Sequence, residues 1–272
     1  MPVAQSAIIH STAIIEDGAT IGEDASIGPY CMVGAEVTLG QGVELISHAV
    51  VTGRTTIGEA TRIWPFASVG HQPQDLKYRG EDTELIIGAR NMIRESTSIN
   101  PGTEGGGGKT VIGDDNLMML GTHVGHDCHL GSNIVLANNA AIAGHCVVED
   151  RVIVGGQSGV HQWCRIGQGA MIGAVSMVTA DVIPYGSVVG NRGSLAGLNI
   201  VGLKRRGVER AMIHQIRAAY QAVFHDGAGT LMDRAATAAR DYPDNPYIQN
   251  IVAFITADTS RHLATPDHGH RS

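Results

Sequence analysis

Four histidines and one aspartate supply the residue types that proton-transfer chemistry needs: His123, His126, Asp127, His145 and His161. Imidazole changes its charge near neutral pH, so histidines grouped on one edge of a fold form a candidate acid–base site. The carboxylate next to His126 could hold its ring in one tautomer and strengthen it as a base. We therefore interpret His126 as the candidate general base.

A spacing of eighteen residues connects His126 to Gly144 and Gln162, which adjoin the later histidines. If every eighteenth residue returns to one corner of the fold, these positions stack above His126. Gly144 has no side chain, so its backbone N–H could approach a developing oxyanion. A general base contributes about 10²–10⁴-fold and an oxyanion donor about 10²–10³-fold, which together suffice for acyl transfer from an activated thioester.

Aliphatic residues spaced six apart predict the scaffold that positions these groups. The series runs from Ile9 to Val69 and, after two interruptions, from Ile112 to Val178. A six-residue unit is too short for a hairpin, so each unit is one short strand and a turn, and stacked units form a parallel β-helix. Three units make a triangular coil of eighteen residues, with coils about 4.8 Å apart. The same period aligns Cys128, Cys146 and Cys164, which we expect to be buried free thiols.

Two insertions interrupt the repeat. The first, at about 71–85, is charged and either replaces part of a coil or bulges from it. The second, at about 100–110, is rich in glycine, and we expect a mobile excursion. It is not a phosphate-binding loop, because residue 103 is Thr where that motif requires Gly.

The repeat decays after Val178, and helical spacing follows. The sequence predicts a β-helix over 1–191 and a C-terminal helical domain over 192–272. Helices are expected from about Gly207 to the glycines at 227–229, over 230–240 and over 246–257. The last dozen residues, with three histidines, are predicted to be a frayed tail.

The composition excludes several functional classes. The net charge of −7 over 272 residues provides no basic surface for nucleic acid. No apolar run has membrane-spanning length, and the first residues lack the features of a signal peptide. Four cysteines do not make a disulfide framework in a chain this long. We expect a cytoplasmic protein without an integral membrane segment.

Two other interpretations of the histidines stay open. They could bind zinc, as in the γ-class carbonic anhydrases, which are hexapeptide-repeat proteins. The charged insertion and the helical domain count against this reading, because hydration of carbon dioxide needs neither. A non-catalytic repeat scaffold is the third possibility, and it leaves the histidine column unexplained.

Several motifs in a fixed order resemble one family, the UDP-N-acetylglucosamine O-acyltransferases. They are Ile-Gly-led hexapeptides, Gln-Asp-Leu-Lys-Tyr, His-Val-Gly-His-Asp-Cys, Ala-Gly-His, Val-His-Gln-Trp and Asn-Ile-Val-Gly-Leu-Lys-Arg-Arg-Gly. The resemblance covers nearly the whole chain. It implies an all-β left-handed parallel β-helix followed by a small α-helical domain, and a homotrimer with active sites between subunits. The implied reaction transfers a 3-hydroxyacyl group from acyl carrier protein to the 3-hydroxyl of UDP-N-acetylglucosamine, the first step of lipid A biosynthesis.

The resemblance also implies roles for individual residues. His126 is the general base, Asp127 its neighbour and Gly144 the oxyanion donor. Neither a metal nor a cofactor is implied, because the phosphopantetheine thioester of the carrier is a substrate. The positions matching substrate contacts are Gln74, Asp75, Lys77, His123, His145, His161, Gln162, Asn199 and Arg205, the last two near the nucleotide. Val201 stands where many members carry Glu, which leaves open a preference for the 3-amino sugar nucleotide.

Two further features concern the acyl donor. Lys204, Arg205 and Arg206 predict a cationic patch for phosphates and for the acidic carrier protein, with a solvated turn as the alternative. Met171 and Ala174 lie where the family sets acyl-chain length. Because Ala174 adds one methyl to glycine, the roomiest case, we expect a donor somewhat shorter than the longest that the family accepts. The alternative is that Ala174 only fills a corner.

Overall fold

Short strands separated by tight turns follow the hexapeptide pattern through most of the chain. The computed structural model describes residues 3–225 and 228–267, in which 28 strands form three sheets. The strands are numbered in chain order. Successive strands along the β-helix pass to successive sheets, so three strands make one coil.

The strand bounds, sheet by sheet, are as follows. The first sheet contains β1 (Ile8–Ile9), β4 (Ser26–Ile27), β7 (Glu44–Leu45), β10 (Arg62–Ile63), β13 (Met92–Ile93), β16 (Leu117–Met118), β19 (Val135–Leu136), β22 (Ile153–Val154), β25 (Met171–Ile172), β27 (Gly186–Val189) and β28 (Ser194–Leu198). The second contains β2 (Ile14–Ile15), β5 (Met32–Val33), β8 (Val50–Val51), β11 (Ser68–Val69), β14 (Ser98–Ile99), β17 (His123–Val124), β20 (Ala141–Ile142), β23 (Gly159–Val160) and β26 (Met177–Val178). The third contains β3 (Thr20–Ile21), β6 (Thr38–Leu39), β9 (Arg54–Ile57), β12 (Glu84–Ile87), β15 (Lys109–Ile112), β18 (His129–Leu130), β21 (Val147–Val148) and β24 (Arg165–Ile166).

The strand register confirms the eighteen-residue coil. Ala141 pairs with Gly159, and Gly159 with Met177, always in parallel. The offset grows to 30 between Ser68 and Ser98, and to 25 between Ser98 and His123. Both insertions therefore bulge from corners, and the strands on either side keep their places.

The interior of the coils is apolar. The second residue of a typical two-residue strand points inward, and Val124, Ile142 and Val160 are at most 2% exposed. Removal of such side chains from water stabilises the fold, and each coil buries the open end of the one below it. Cys128, Cys146 and Cys164 are free and buried, as predicted, and so is Cys31.

Four helices follow the β-helix: α1 (Ile200–Arg205), α2 (Arg210–Phe224), α3 (Leu231–Asp241) and α4 (Pro246–Thr256). Side chains cap three of them, with Asn199 before α1, a Thr230–Asp233 capping box at α3 and Asn245 before α4. Helix α1 was not predicted, because six residues are too few to show a helical period. Among the described helices, none combines the length and hydropathy required to cross a bilayer.

Residues 262–265 pack against the β-helix. Asp181 receives the Ala264 N–H on its carbonyl oxygen, and its own N–H donates to the His262 carbonyl. The Leu195 N–H donates to the Thr265 carbonyl, and Ala264 is buried. The predicted frayed tail is therefore wrong for residues 261–265. Residues 268–272, with the other two histidines of that tail, lie outside the described residues, as does Gly227.

Strand β28 lies beyond residue 191, the boundary suggested by the sequence. It pairs antiparallel with β27, so the first sheet continues to Leu198 before the helices begin. The division into domains at residue 191 stays a prediction.

Candidate active site

Asp127 is the buried centre of the candidate site. It lies at the corner after β17, in a left-handed backbone conformation with φ of 58°. Its Oδ1 accepts a hydrogen bond from the Thr103 N–H at 2.8 Å, and its Oδ2 accepts one from the Thr103 hydroxyl at 2.6 Å. A methyl group on Gly106 would lie 2.0 Å from Asp127 Cγ, so glycine lets the second insertion close over the carboxylate. The segment predicted to be a mobile excursion contains a short 3₁₀ helix, Glu104–Gly106, and packs on Asp127; its mobility stays a prediction.

His126 is held by this carboxylate. Its Nδ1 lies 2.7 Å from Asp127 Oδ2. A carboxylate can only accept, so the bond places the ring proton on Nδ1 and leaves the Nε2 lone pair free. In the part of the chain that the structure describes, Nε2 has no hydrogen-bond partner, and the His126 side chain is 14% exposed. This is the arrangement of an oriented general base.

Gly144 lies directly against this ring, one coil further on. A methyl group added there would approach His126 Cε1 and Nε2 to 2.7 Å, so glycine provides the space for the imidazole. The Gly144 N–H makes no hydrogen bond to any described residue. Pro29 and Pro65 occupy the same place in their own hexapeptides, so the coil does not require an N–H there. The Gly144 N–H is therefore available to a ligand.

His145 and Trp163 continue the corner over the next two coils. The His145 ring meets the His126 ring edge-on at 4.8 Å and stacks on Trp163 at 3.9 Å. Burial lowers the pKa of His145, although the Asp127 carboxylate opposes that effect. Burial, followed by the charge of His126, lowers the pKa of His123, whose Nδ1 lies 2.7 Å from Ser98 Oγ. The lowered pKa of each ring favours its neutral form, in which it can both donate and accept a hydrogen bond.

The first insertion brings Asp75 to the same corner. The Lys77 N–H bonds Asp75 Oδ1 at 2.9 Å and is the main reason that the pKa of this carboxyl is lowered. Protonation of His126 or of His145 would lower the pKa of Asp75 further, so both rings lie within electrostatic range of this carboxyl. The side chains of Gln74 and Lys77 are exposed beside it.

His161 and Gln162 lie at this corner too, with an unforeseen neighbour. The Arg261 guanidinium from the C-terminal segment approaches His161 Nδ1 at 2.9 Å. Arg261 Nη2, the nitrogen that makes this approach, also donates to the Gln162 carbonyl at 3.0 Å.

The residues predicted to bind the nucleotide lie on another face. Asn199 Oδ1 accepts the Gly202 N–H at 2.9 Å, and its amide donates to the Gly169 carbonyl at 3.1 Å. It borders a cleft of about 610 Å³ with Met171, Arg205 and the exposed Val201, over the outer face of the first sheet. His126 lies at the corner between the second and third sheets. Within one chain, Asn199 and Arg205 therefore do not lie at the same corner as His126.

The three basic residues at the end of α1 do not form one exposed patch. Lys204 and Arg205 are exposed, whereas Arg206 is half-buried and lies over the Tyr185 ring at 5.5 Å. Burial lowers the pKa of Arg206. Arg206 is therefore less exposed than its two neighbours because its guanidinium packs on an aromatic ring, and its part in the predicted patch stays a prediction.

The two residues predicted to set acyl-chain length lie apart: Ala174 lies beside the second sheet, whereas Met171 lies on β25 of the first sheet and borders the cleft with Asn199. Ala174 is exposed at the corner before β26, and Met177 points outward on β26, 48% exposed. Below Met177, Gly159, Ala141 and His123 stack in register on the same outer face. Three interstrand spacings separate Met177 from His123, about 14 Å. Only the small residues Ala141 and Gly159 therefore lie between His123 and Met177 on this face, and we call this strip the trough.

The arrangement of these side chains does not match a metal site, and the nearby Cys164 is not disposed to supply a thiolate. Among the residues that the structure describes, one group has potential ligand atoms close enough to hold an ion. It consists of His126, Asp127 and His145, whose ligand atoms lie within 4.8 Å of one another. However, the His126 Nδ1 proton and the Thr103 hydroxyl occupy Asp127 Oδ2, so this set does not fit zinc. Burial raises the pKa of the Cys164 thiol to about 12, which keeps it protonated.

Sequence reasoning missed three residues: Thr103, Trp163 and Arg261. The run of glycines at 105–108 was a signal for Thr103, because it permits close approach to another group. Trp163 follows His145 by eighteen residues, so the coil period could have found it. No local signal identifies Arg261.

Comparisons with known proteins agree with this architecture. A family model described as "Udp N-acetylglucosamine O-acyltransferase; Domain 2" matches residues 181–264. An acyl-(acyl-carrier-protein)–UDP-N-acetylglucosamine O-acyltransferase of Rhizobium johnstonii is 49% identical over 99% of this chain and 98% of its own length. A protein of the same name from Paracoccus denitrificans is 55% identical over 74% of this chain and 75% of its own.

A solved structure of UDP-N-acetylglucosamine acyltransferase from Campylobacter jejuni is 35% identical, with a TM-score of 0.90, and covers 95% of this chain and 100% of that one. Such structures are left-handed parallel β-helices, and this chain has the same fold. General chirality favours right-handed crossovers, so the comparison rather than physics establishes the handedness. The chain is 49% identical to a relative over nearly its full length and has the same fold as the solved structure. It therefore belongs to the acyl-(acyl-carrier-protein)–UDP-N-acetylglucosamine O-acyltransferase family.

Proposed function

We propose that this chain transfers a 3-hydroxyacyl group from the thioester of acyl carrier protein to the glucosamine 3-hydroxyl of UDP-N-acetylglucosamine, the first step of lipid A biosynthesis. His126 carries the proposal: its Nδ1 is bonded to the buried Asp127, and its Nε2 is free beside Gly144. The names of the relatives supply the two substrates. The reaction takes place in the cytoplasm and needs no cofactor beyond the phosphopantetheine of the carrier.

The chemistry proceeds by direct transfer. His126 Nε2 accepts the proton of the sugar hydroxyl while the hydroxyl oxygen attacks the thioester carbonyl. The Gly144 N–H donates to the oxyanion of the tetrahedral intermediate, and Asp127 stabilises the imidazolium. The intermediate expels the phosphopantetheine sulfur, which takes the proton back from His126. The products are the sugar ester and the free thiol of the carrier.

The acyl chain follows the trough on the second sheet. Its floor of Ala141 and Gly159 begins beside His123 and ends at Met177. An alkyl chain on this face would bury apolar surface at about 25 cal/mol per Å². Ala174, in the same coil as Met177, sets the end of the trough.

We infer that the functional unit is a homotrimer with sites shared between subunits. Asn199 and Arg205 border the first sheet, away from the His126 corner of the same chain. A neighbouring subunit can supply the nucleotide cleft to that corner, and the family resemblance implies threefold symmetry. The exposed Lys204 and Arg205 attract the acidic carrier protein.

The activity is tested by mass spectrometry of the product made from UDP-N-acetylglucosamine and 3-hydroxyacyl carrier proteins. His126→Ala should lower kcat at least about a hundredfold and leave the fold and sugar-nucleotide binding intact. A smaller loss would contradict the assignment of the base. Loss of activity on chelation, with recovery on added zinc, would instead favour the metal alternative.

Shared sites are tested by complementation. Co-expressed His126→Ala and Arg205→Ala subunits should recover activity, because one intact pair forms in mixed trimers. His126→Ala with Asp127→Asn should recover none, since both changes affect one corner. A monomer at micromolar concentration would refute the trimer.

A further inference from the structure

The C-terminal segment contributes a cation to the histidine corner from a distant part of the sequence. Arg261 Nη2 lies 2.9 Å from His161 Nδ1 and 3.0 Å from the Gln162 carbonyl oxygen. A guanidinium nitrogen of this kind has two hydrogens and no acceptor site. It can therefore donate to both atoms at once.

This contact determines which nitrogen of His161 carries the proton. Because Arg261 only donates, His161 Nδ1 must accept, so the ring is neutral with its proton on Nε2. In the other tautomer, a proton on His161 Nδ1 would point to the Gln162 carbonyl oxygen, which lies 3.2 Å away. Arg261 already donates to that oxygen at 3.0 Å. Without Arg261, the Gln162 carbonyl would favour the opposite tautomer.

The segment is attached independently of Arg261. Backbone hydrogen bonds join Asp181 to His262 and Ala264, and the Thr259 hydroxyl bonds Asp181 Oδ2 at 2.9 Å. Asp181 is itself paired with Arg165 at 2.7 Å. Removal of the Arg261 guanidinium should therefore leave the segment in place.

We propose that Arg261 is a positioning residue for the acyl transfer described above: it fixes His161 as an Nε2–H donor at the corner shared with His126. His161 lies two coils from Gly125, the residue before His126, or about 10 Å along the axis. A fixed N–H donor at that distance can bind a polar group of the substrate remote from the reacting hydroxyl. The effect on catalysis rests on the proposed function, whereas the tautomer of His161 follows from the contacts of Arg261 alone.

The first test reads the tautomer in the resting protein. Two-bond ¹H–¹⁵N correlation spectra of histidine-labelled protein, with His161 assigned by its absence in His161→Gln, should show Nε2–H in wild type. In Arg261→Met the His161 ring should change to Nδ1–H or to a mixture. An unchanged Nε2–H tautomer in that variant would overturn the proposal, whether or not the chain has the proposed activity.

The second test uses kinetics with a matched control. Arg261→Met should lower kcat/KM about tenfold, as expected for one misdirected hydrogen bond. When His161→Gln is already present, Arg261→Met should lower kcat/KM by less than about twofold, because Arg261 acts through the His161 ring. Thr259→Val removes the hydroxyl that bonds Asp181 Oδ2 and the Arg261 N–H but contacts neither the Arg261 guanidinium nor His161, so it should leave kcat/KM unchanged. An equal loss in Thr259→Val, or an undiminished loss in the His161→Gln background, would assign Arg261 a merely structural role.

Discussion

Asp127→Asn tests whether the carboxylate determines the tautomer of the base. The Thr103 backbone N–H must keep an acceptor, so the amide oxygen of the asparagine takes the place of Oδ1. The amide NH₂ then replaces Oδ2 and faces His126 Nδ1. Because this group only donates, Nδ1 must accept, and the ring proton moves to Nε2.

The expected magnitude is the whole contribution of the general base. A ring protonated on Nε2 cannot accept the hydroxyl proton there, so kcat should fall on the order of 10²–10⁴-fold. Raising the pH should not restore activity, since the wrong tautomer is already neutral. Folding should survive, because asparagine has nearly the same volume as aspartate and tolerates the φ of 58° at this corner.

The assay is steady-state acyl transfer with saturating substrates, together with thermal unfolding of each variant. Asp115→Asn is a matched control, since Asp115 has the same φ of 58° but pairs with Arg90 far from the histidines. It should keep full activity. A value of kcat for Asp127→Asn within about tenfold of wild type would refute the tautomer argument.

Three further outcomes are expected. A ladder of 3-hydroxyacyl carrier proteins should show a longer optimum for Ala174→Gly and a shorter one for Ala174→Met; an optimum unchanged in both would remove Ala174 from length selection. Val175→Asn should raise the free energy of unfolding in urea by about 1 kcal/mol, since a β-branched residue is strained at its φ of 57°; an unchanged or lower value would show that the corner is relaxed. Burial lowers the pKa of His123, so the unfolded chain binds more protons below about pH 6.5, and the free energy of unfolding should decrease as the pH falls. His123→Gln should reduce that decrease, measured by urea denaturation between about pH 8 and about pH 5; an identical slope in the variant would contradict the burial argument.

The coil could be predicted from the sequence because one inward aliphatic residue recurs in every hexapeptide. Each inward aliphatic, from Ile9 onward, repeats the same local environment, so spacing alone gives the stacking. His126 and Asp127 are adjacent in the chain, so their pairing also needed no tertiary information. Helices α2 to α4 were visible because each spans several turns.

The contacts that complete the site could not be predicted in the same way. Thr103 reaches Asp127 through the path of an irregular loop, and Arg261 reaches His161 through the docking of the chain end. Neither path has a period. Arg206 looked like part of a basic cluster because sequence proximity does not show which side chain turns inward to Tyr185.

The insertion that covers Asp127 adds seven residues to one coil, since Ser98 and His123 pair at an offset of 25 where the repeat uses eighteen. Strands on both sides keep their register, so the coil could be copied by duplication with or without these residues. A duplicated scaffold alone would place the histidines at the corner but leave the carboxylate open to water. The short segment is therefore separable from the repeat in structural terms: it shields the Asp127 carboxylate without changing any of the strands on which the coil depends.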